Sequence, residues 1–524
     1  MTKASLHYID YLIMAVSLLV PLIVSLKFSK KQKTTEHYFI ARGAVPTWVI
    51  GISILAALIS SITFLAYPGN GYSSNWILLV QGLMVPVILS LFIWFIVPLY
   101  RNIIKLSAYE YFEHRFGFFA RLYSSIGFFL AHFSKMGTVF FLLALALSKM
   151  TGLDTITMIW IVGFVVVFIT LIGGIEAVFW LDVFQGFLKV TGGIIALCII
   201  IFTIPGGMST IWKVASEGGR TGFGPYSFGM VKLTFWVMVL NGIFYAIQKY
   251  GTDQTIVQRY LSASSDKEAV KASFLGVFLT VPVWALFMFI GTALFAYYQV
   301  NSTLLPPNTK PDEVFPFFIM TKLPVGVVGL ILSALMAAAI SSLDADLNCL
   351  SAICVSDYYV RFRPQSPEKS RMFLSRLIII AAGITSLMIA TYYVKIGGEG
   401  ILEVVFTLYS IFSGGIAGMF LLGIFSRRAN KQGLYIGIGA CVLFTAWAVL
   451  TSTKYDFGSG SKLILDLGSY NYTHHKLMLG VYSHIVLFVV GYIASLFYKN
   501  RKDITDLTYY GWLEKKRNGT LVSN

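Results

Sequence analysis

Residues 60–71, SSITFLAYPGNG, and residues 248–254, QKYGTDQ, place hydroxyls, amides, a lysine, a carboxylate, a proline and glycines inside stretches that are otherwise apolar. In lipid no backbone N–H or C=O can be left unsatisfied, so a span with helix breakers and polar side chains must line a cavity inside the protein. Counting apolar runs along the chain puts the first cluster in the second span and the other in the seventh. A separation of five spans is what an inverted five-helix repeat with paired discontinuous helices gives. Either cluster alone is a weak signal, since glycine and proline are common in membrane helices. Together they point to an all-α integral membrane protein with a central site.

Composition agrees: 57% of the 524 residues are hydrophobic and 12% are charged, outside the mixture of a soluble domain. Apolar length and turn signals predict about 13 spans, at 8–27, 46–70, 75–99, 121–149, 155–174, 179–203, 232–260, 268–298, 325–356, 372–393, 401–426, 431–451 and 477–498. Each is of the order of the ~20 residues that a helix needs to cross the hydrocarbon core. The net charge of +16 does not call for nucleic acid, because its lysines and arginines are scattered between apolar segments and gather on no single solvated face. If the spans are right, loops on alternate sides should differ in lysine and arginine. One side holds 26 of the 40, among them Lys27, Lys30, Lys31, Lys33, Arg42, Lys105, Arg115, Arg121, Arg259 and the run beyond Lys499. That places the N-terminus outside and the C-terminus in the cytoplasm of a multi-pass plasma- or inner-membrane protein. The first apolar run ends in KFSKKQK (27–33) without a cleavage site and reads as a retained helix.

The longest outer loops are 204–231, 299–324 and 452–476, and FGSGS at 457–461 reads as mobile. Ser107 to Phe116 mixes aromatic and charged residues at helical spacing, which suits an interfacial helix and a plain loop helix equally. Asn301 and Asn471 open NST and NYT sequons, relevant to glycosylation only in a eukaryotic host. The four cysteines lie in apolar segments, so neither a disulfide nor a metal centre is expected.

A third polar strip follows Ala338: Ser341, Ser342, Asp344, Asp346 and Asn348. Spacings of three and four bring Ala338, Ser341 and Ser342 onto or next to one helical face. Hydroxyl and carbonyl oxygens suit a hard cation such as sodium, while the bland reading is a pair of serines bonding across a helix contact. Carboxylates at membrane depth are costly and by default functional or paired, which singles out Asp182, Asp344 and Asp346; for Asp182, near a span end, solvation competes. Lys135, in AHFSKMGT, can pair with a carboxylate, bind an anion or donate to hydroxyls, and Lys249 and Lys189 raise the same choice. His132 reads as packed. Nucleotide loop, HExxH, GxSxG and metal-spaced Cys/His motifs are all missing, so nothing supports an enzyme.

GGIEAVFWLDVFQG (173–186), GTDQTIVQRYL (251–261) and AAAISSLDADLN (337–348) make the chain resemble the sodium/solute symporter family, which contains sodium/galactose, sodium/proline and sodium/sialic acid transporters. The resemblance implies a LeuT-like 5+5 inverted repeat in a single transporter domain. A leading helix (8–27), repeats at 46–203 and 232–426, two trailing helices (431–498) and a cytoplasmic tail (499–524) would compose it. It also implies a sodium ion held by carbonyls matching Ala56, Ile59 and Ala338 and hydroxyls matching Ser341 and Ser342. A second sodium site in some members uses an aspartate matching Asp182 and hydroxyls where this chain has Asp344 and Ala345; that departure leaves Asp344 to bind a cation, take a proton or pair with a lysine. For the solute, the resemblance points to Ser60, Ser61 and Thr63 and to Lys135, where sialic acid members carry an arginine that holds the carboxylate and several animal sugar and inositol members carry lysine. Gln248 and Lys249 of the second interrupted span complete the candidate set. Gly82 stands where galactose and sialic acid transporters have a polar side chain, and Gln81 could replace it only with the helix rotated or shifted.

The expected function is therefore sodium-coupled import of a sugar, polyol or sugar acid by alternating access. A monocarboxylate or other organic anion is the second reading, and a channel or sensor on the same scaffold the third. The partners expected are sodium, the solute and the bilayer.

Overall fold

With no water to satisfy them in a hydrocarbon core, backbone groups must bond within their own segment, and the apolar runs accordingly fold as helices. The computed structural model describes residues 6–29, 45–102, 107–396, 401–456, 461–498 and 507–518. Lys30, Lys31, Lys33, Arg42, Lys105, Lys499, Arg501 and Lys502, and all but Ser461 of the FGSGS segment, lie outside the described residues. In chain order the principal helices are α1 (Tyr8–Ser29), α2 (Thr47–Leu58), α3 (Tyr67–Ser73), α4 (Leu79–Asn102), α5 (Ala108–Phe116), α6 (Phe118–Thr151) and α7 (Thr155–Thr203). There follow α8 (Gly207–Glu217), α9 (Phe235–Gly251), α10 (Gln254–Ser262), α11 (Asp266–Val300), α12 (Pro311–Lys322) and α13 (Val327–Ala352). The last are α14 (Glu368–Ile396), α15 (Ile401–Phe412), α16 (Ile416–Phe425), α17 (Lys431–Ser452), α18 (Lys476–Leu496) and α19 (Tyr509–Arg517). One short antiparallel ribbon, β1 (Lys454–Asp456) with β2 (Ser461–Leu463), lies in the 452–476 loop, Lys454 opposite Leu463.

Among the described residues nine helices are long and apolar enough to cross a membrane, and the pair Thr47–Leu58 with Ile62–Ser73, bent by 59°, makes a tenth. The count of about 13 differs at three places where the sequence suggested separate or unbroken spans. Residues 155–203 run as one helical stretch in which only Gly174 (φ 63°, ψ 174°) leaves helical geometry, so the two spans predicted there meet at a single residue. The predicted spans 232–260 and 401–426 are each divided, at Thr252–Asp253 and between α15 and α16.

The first broken helix is interrupted at the start of its polar cluster and not at its proline and glycines. Tyr67-Pro-Gly-Asn-Gly, which looked like the breaker, is helical, because Pro68 lies in the first turn of α3, where no N–H is required. The break falls upstream at Ile59, in extended conformation (φ −99°, ψ 105°), and Ser60; a π-helical turn, Ile62–Ala66, then leads into α3.

The chain forms two units. The first comprises residues 1–82, 132–223 and 258–405. In it α11 packs along α2 and α3, α13 along α7, and α1 against both α7 and α13. Glycines set the closest approaches: a Cβ at Gly291 would stand 2.0 Å from the Pro68 carbonyl oxygen, and one at Gly71 would stand 2.1 Å from that of Met288. Asp10 of α1 accepts from the N–H groups of Gly326 and Gly329 at 2.8 Å each, capping the start of α13.

The second unit comprises residues 83–131, 224–257 and 406–524, with the α17–α18 hairpin at its centre and α9 and α16 packed on α18. Its α5 resolves the open choice at Ser107–Phe116. Ser107 caps the helix by accepting from Tyr109 N, and Tyr109, Tyr111, Phe112 and Phe116 are buried in protein. Arg115 donates to the carbonyls of Gly423 (3.1 Å), Ser426 (2.6 Å) and Ala429 (2.9 Å), closing the end of α16. Arg115 and Arg121, counted among the loop charges, are therefore interior residues of this unit.

Candidate functional site

Ending α2 at Leu58 leaves the carbonyls of its last turn without intrahelical donors. What meets them is Lys189 of α7. Its Nζ donates to Ala56 O at 2.9 Å, to Ile59 O at 3.1 Å and to Ser341 Oγ, and the residue is 1% exposed. Ser341 Oγ also lies 3.2 Å from Ala56 O and 3.3 Å from Ala338 O. The structure thus joins four of the five residues expected around sodium. The fifth, Ser342, donates to Ala339 O in its own helix at 3.2 Å. As arranged here, the oxygens do not fit a free sodium ion, because three of them are already bonded to an ammonium group.

Seven residues before Lys189 on α7, Asp182 is fully buried, so the sequence-based alternative of a solvated aspartate does not hold. Ser53 donates to its Oδ2 at 2.5 Å and Arg259 donates to the same oxygen at 3.1 Å, while Oδ1 has no hydrogen-bond partner among the described residues. Arg259 also donates to Ser53 Oγ at 2.9 Å and is fully buried, not a loop cation. Asp344 of α13 accepts from Thr170 Oγ1. Asp346, two residues further on and so towards the other side of α13, accepts from Lys135 Nζ at 3.1 Å through Oδ1, which also lies 2.9 Å from His132 Nδ1, and the same Nζ stands 2.9 Å from Oδ2 as an ion pair. His132, 1% exposed, is packed as the sequence suggested, with Nδ1 against this carboxylate.

Lys135 keeps part of its side chain accessible, 19%, despite that pairing. Around the break, Ser60 Oγ accepts from Ile62 N at 3.2 Å, Ser61 Oγ donates to Val139 O at 3.0 Å, and Thr63 is buried in the π turn. Gln81 is buried and its Oε1 has no hydrogen-bond partner among the described residues, a state that favours filling by a donor from a ligand or water. Beside it Gly82 faces Trp284, whose ring, parallel to that of Tyr67, occupies the space where a side chain would stand. In the second unit, Lys249 donates to Asp253 Oδ2 at 2.7 Å and to Thr255 Oγ1 at 3.2 Å, so its charge is neutralised within the interruption, and Gln248 is buried one residue before it.

Sequence reasoning missed Ser53, Arg259 and Thr170 as partners of the carboxylates. Arg259 stood inside a quoted motif, but nothing in one sequence ties it to an aspartate 77 positions away.

Broken helices, buried carboxylates and a cation cradle inside a multi-pass helical protein define a carrier. The sodium:solute symporter family model matches residues 38–441. The chain is 30% identical over 523 residues to the sodium/sialic acid symporter NanT of Aliivibrio fischeri, covering 99% of both chains. It is 35% identical over 435 residues to the sodium/sialic acid symporter SiaT of Proteus mirabilis, covering 82% of this chain and 87% of that one. A solved structure of a sodium-coupled sialic acid symporter, substrate-bound and outward-open, superposes with a TM-score of 0.84 at 31% identity, over 95% of this chain and 100% of the other. The chain belongs to the sodium:solute symporter family. It is a sodium-coupled multi-pass transporter and not an enzyme.

Proposed function

We propose that the protein imports a sugar acid of the sialic acid type together with sodium, by alternating access across the plasma or inner membrane. The likeness to NanT over 99% of both chains carries this reading. Three features of the interior support it. Lys135 is a partly accessible cation; Gln81 offers an acceptor oxygen without a partner; and Ser60, Ser61 and Thr63 bring hydroxyls to the break. An acid gains from Lys135 what a neutral sugar does not, a charge-assisted bond.

Trp284 over Gly82 argues for a solute contact different from that of relatives with a polar side chain there, and it keeps short carboxylates and neutral sugars in the test. Binding of N-acetylneuraminic acid, galactose, myo-inositol and lactate to purified protein, followed by intrinsic tryptophan fluorescence, separates them. The expected result is saturable binding of the sugar acid only, weakened at least tenfold in Lys135→Gln. Binding of galactose or inositol that survives Lys135→Gln, or of lactate in place of the sugar acid, would replace the sugar-acid reading.

A further inference from the structure

A lysine buried at 1% exposure needs acceptors for all three of its N–H donors. Lys189 finds them in two main-chain carbonyls and one hydroxyl, Ala56 O, Ile59 O and Ser341 Oγ, and these are oxygens expected to hold sodium. The carbonyls come from the C-terminal end of α2, where the aligned peptide dipoles carry partial negative charge and favour a cation. A lysine side chain is fixed at its Cα, so the charge is part of the chain and not an exchangeable solute ion.

We propose that Lys189 is a tethered cation occupying the sodium position, so that its ammonium group and a free sodium ion exclude each other from Ala56, Ile59 and Ser341. The cradle is then never without a positive charge, and sodium enters only by displacing Lys189. Asp182 offers the displaced group a destination. It lies seven residues away on the same face of α7, and its buried Oδ1 has no partner among the described residues while Oδ2 is held by Ser53 and Arg259. Lys189 thus sets how much sodium is needed to load the site. The inference holds whichever solute is carried.

The test uses sodium alone. Equilibrium binding of radioactive sodium to the purified full-length protein is compared between wild type, Lys189→Met, Lys189→Ala and Lys189→Arg, with thermal unfolding in detergent confirming that each is folded. Removing the charge is expected to tighten sodium binding at least tenfold in the Met and Ala variants, and Lys189→Arg to show no gain. Unchanged or weaker sodium binding in folded Met and Ala variants would overturn the proposal. Should those variants fail to fold, structures of the wild type without sodium and at high sodium decide it. Nζ on the Ala56 and Ile59 carbonyls only in the sodium-free state is the expected result; Nζ elsewhere without sodium, or Nζ and an ion sharing those carbonyls, would refute it. Because no sugar acid enters either measurement, a failed substrate assignment leaves the outcome interpretable.

Discussion

A Cβ at Gly82 would meet Trp284 Cε3 at 2.5 Å and Cζ3 at 2.8 Å, so the aromatic ring leaves no room for a side chain at this position. Gly82→Ala should destabilise the protein by about 2 kcal/mol through overpacking, and Trp284→Leu should restore most of the loss; a lowered thermal midpoint that the second change leaves untouched would refute the steric account. Asp346 presents a different case. It is fully buried against Lys135 and His132, and Asp346→Ala removes the partner of an interior cation, a change that costs about 3 kcal/mol. Thermal unfolding in detergent checks this, and no loss would mean that Lys135 finds another acceptor. At this scale the sequence was informative about types and silent about pairs. It marked Lys135, Asp182, Asp344 and Asp346 as groups that need partners in lipid. It could not tell that Lys135 takes Asp346, 211 positions on, or that Lys189 takes the carbonyl of Ala56, 133 positions back.

Whole helices were more legible than their interruptions. Spans such as α1, α11, α17 and α18 follow from apolar length alone, because in a bilayer that length leaves the backbone no other regular structure. The break in the second span lies at the start of the polar cluster, at Ile59 and Ser60, and not at its proline. Pro68 and Gly69 are breakers by propensity but sit where a helix begins, whereas Ile59 and Ser60 carry no such signal. The helix α3 packs against both α12 and α11, and in the latter contact Gly291 lies against Pro68. Gly291→Ala puts a methyl group into a backbone oxygen on the opposing helix, and neither side can rotate away. It should sharply lower the yield of monodisperse protein, while Gly229→Ala, in open space, should leave it unchanged. Equal yields from the two variants would mean that the contact between α3 and α11 is not needed for folding.

Over the whole molecule, the charge pattern that predicted topology contained residues with other work: Arg115, Arg121 and Arg259 are buried. The family and the all-helical membrane fold stood out at sequence level because long spaced motifs carry them. The solute did not, since it depends on a few side chains whose directions only the folded chain sets. The central claim, sodium-driven import of a sugar acid, is tested most directly in liposomes holding the purified protein, by following labelled N-acetylneuraminic acid with an inward sodium gradient and with potassium in its place. The account predicts accumulation above the external concentration with sodium and none with potassium. Equal uptake with both ions, or none of the sugar acid alongside sodium-driven uptake of another solute, would contradict it.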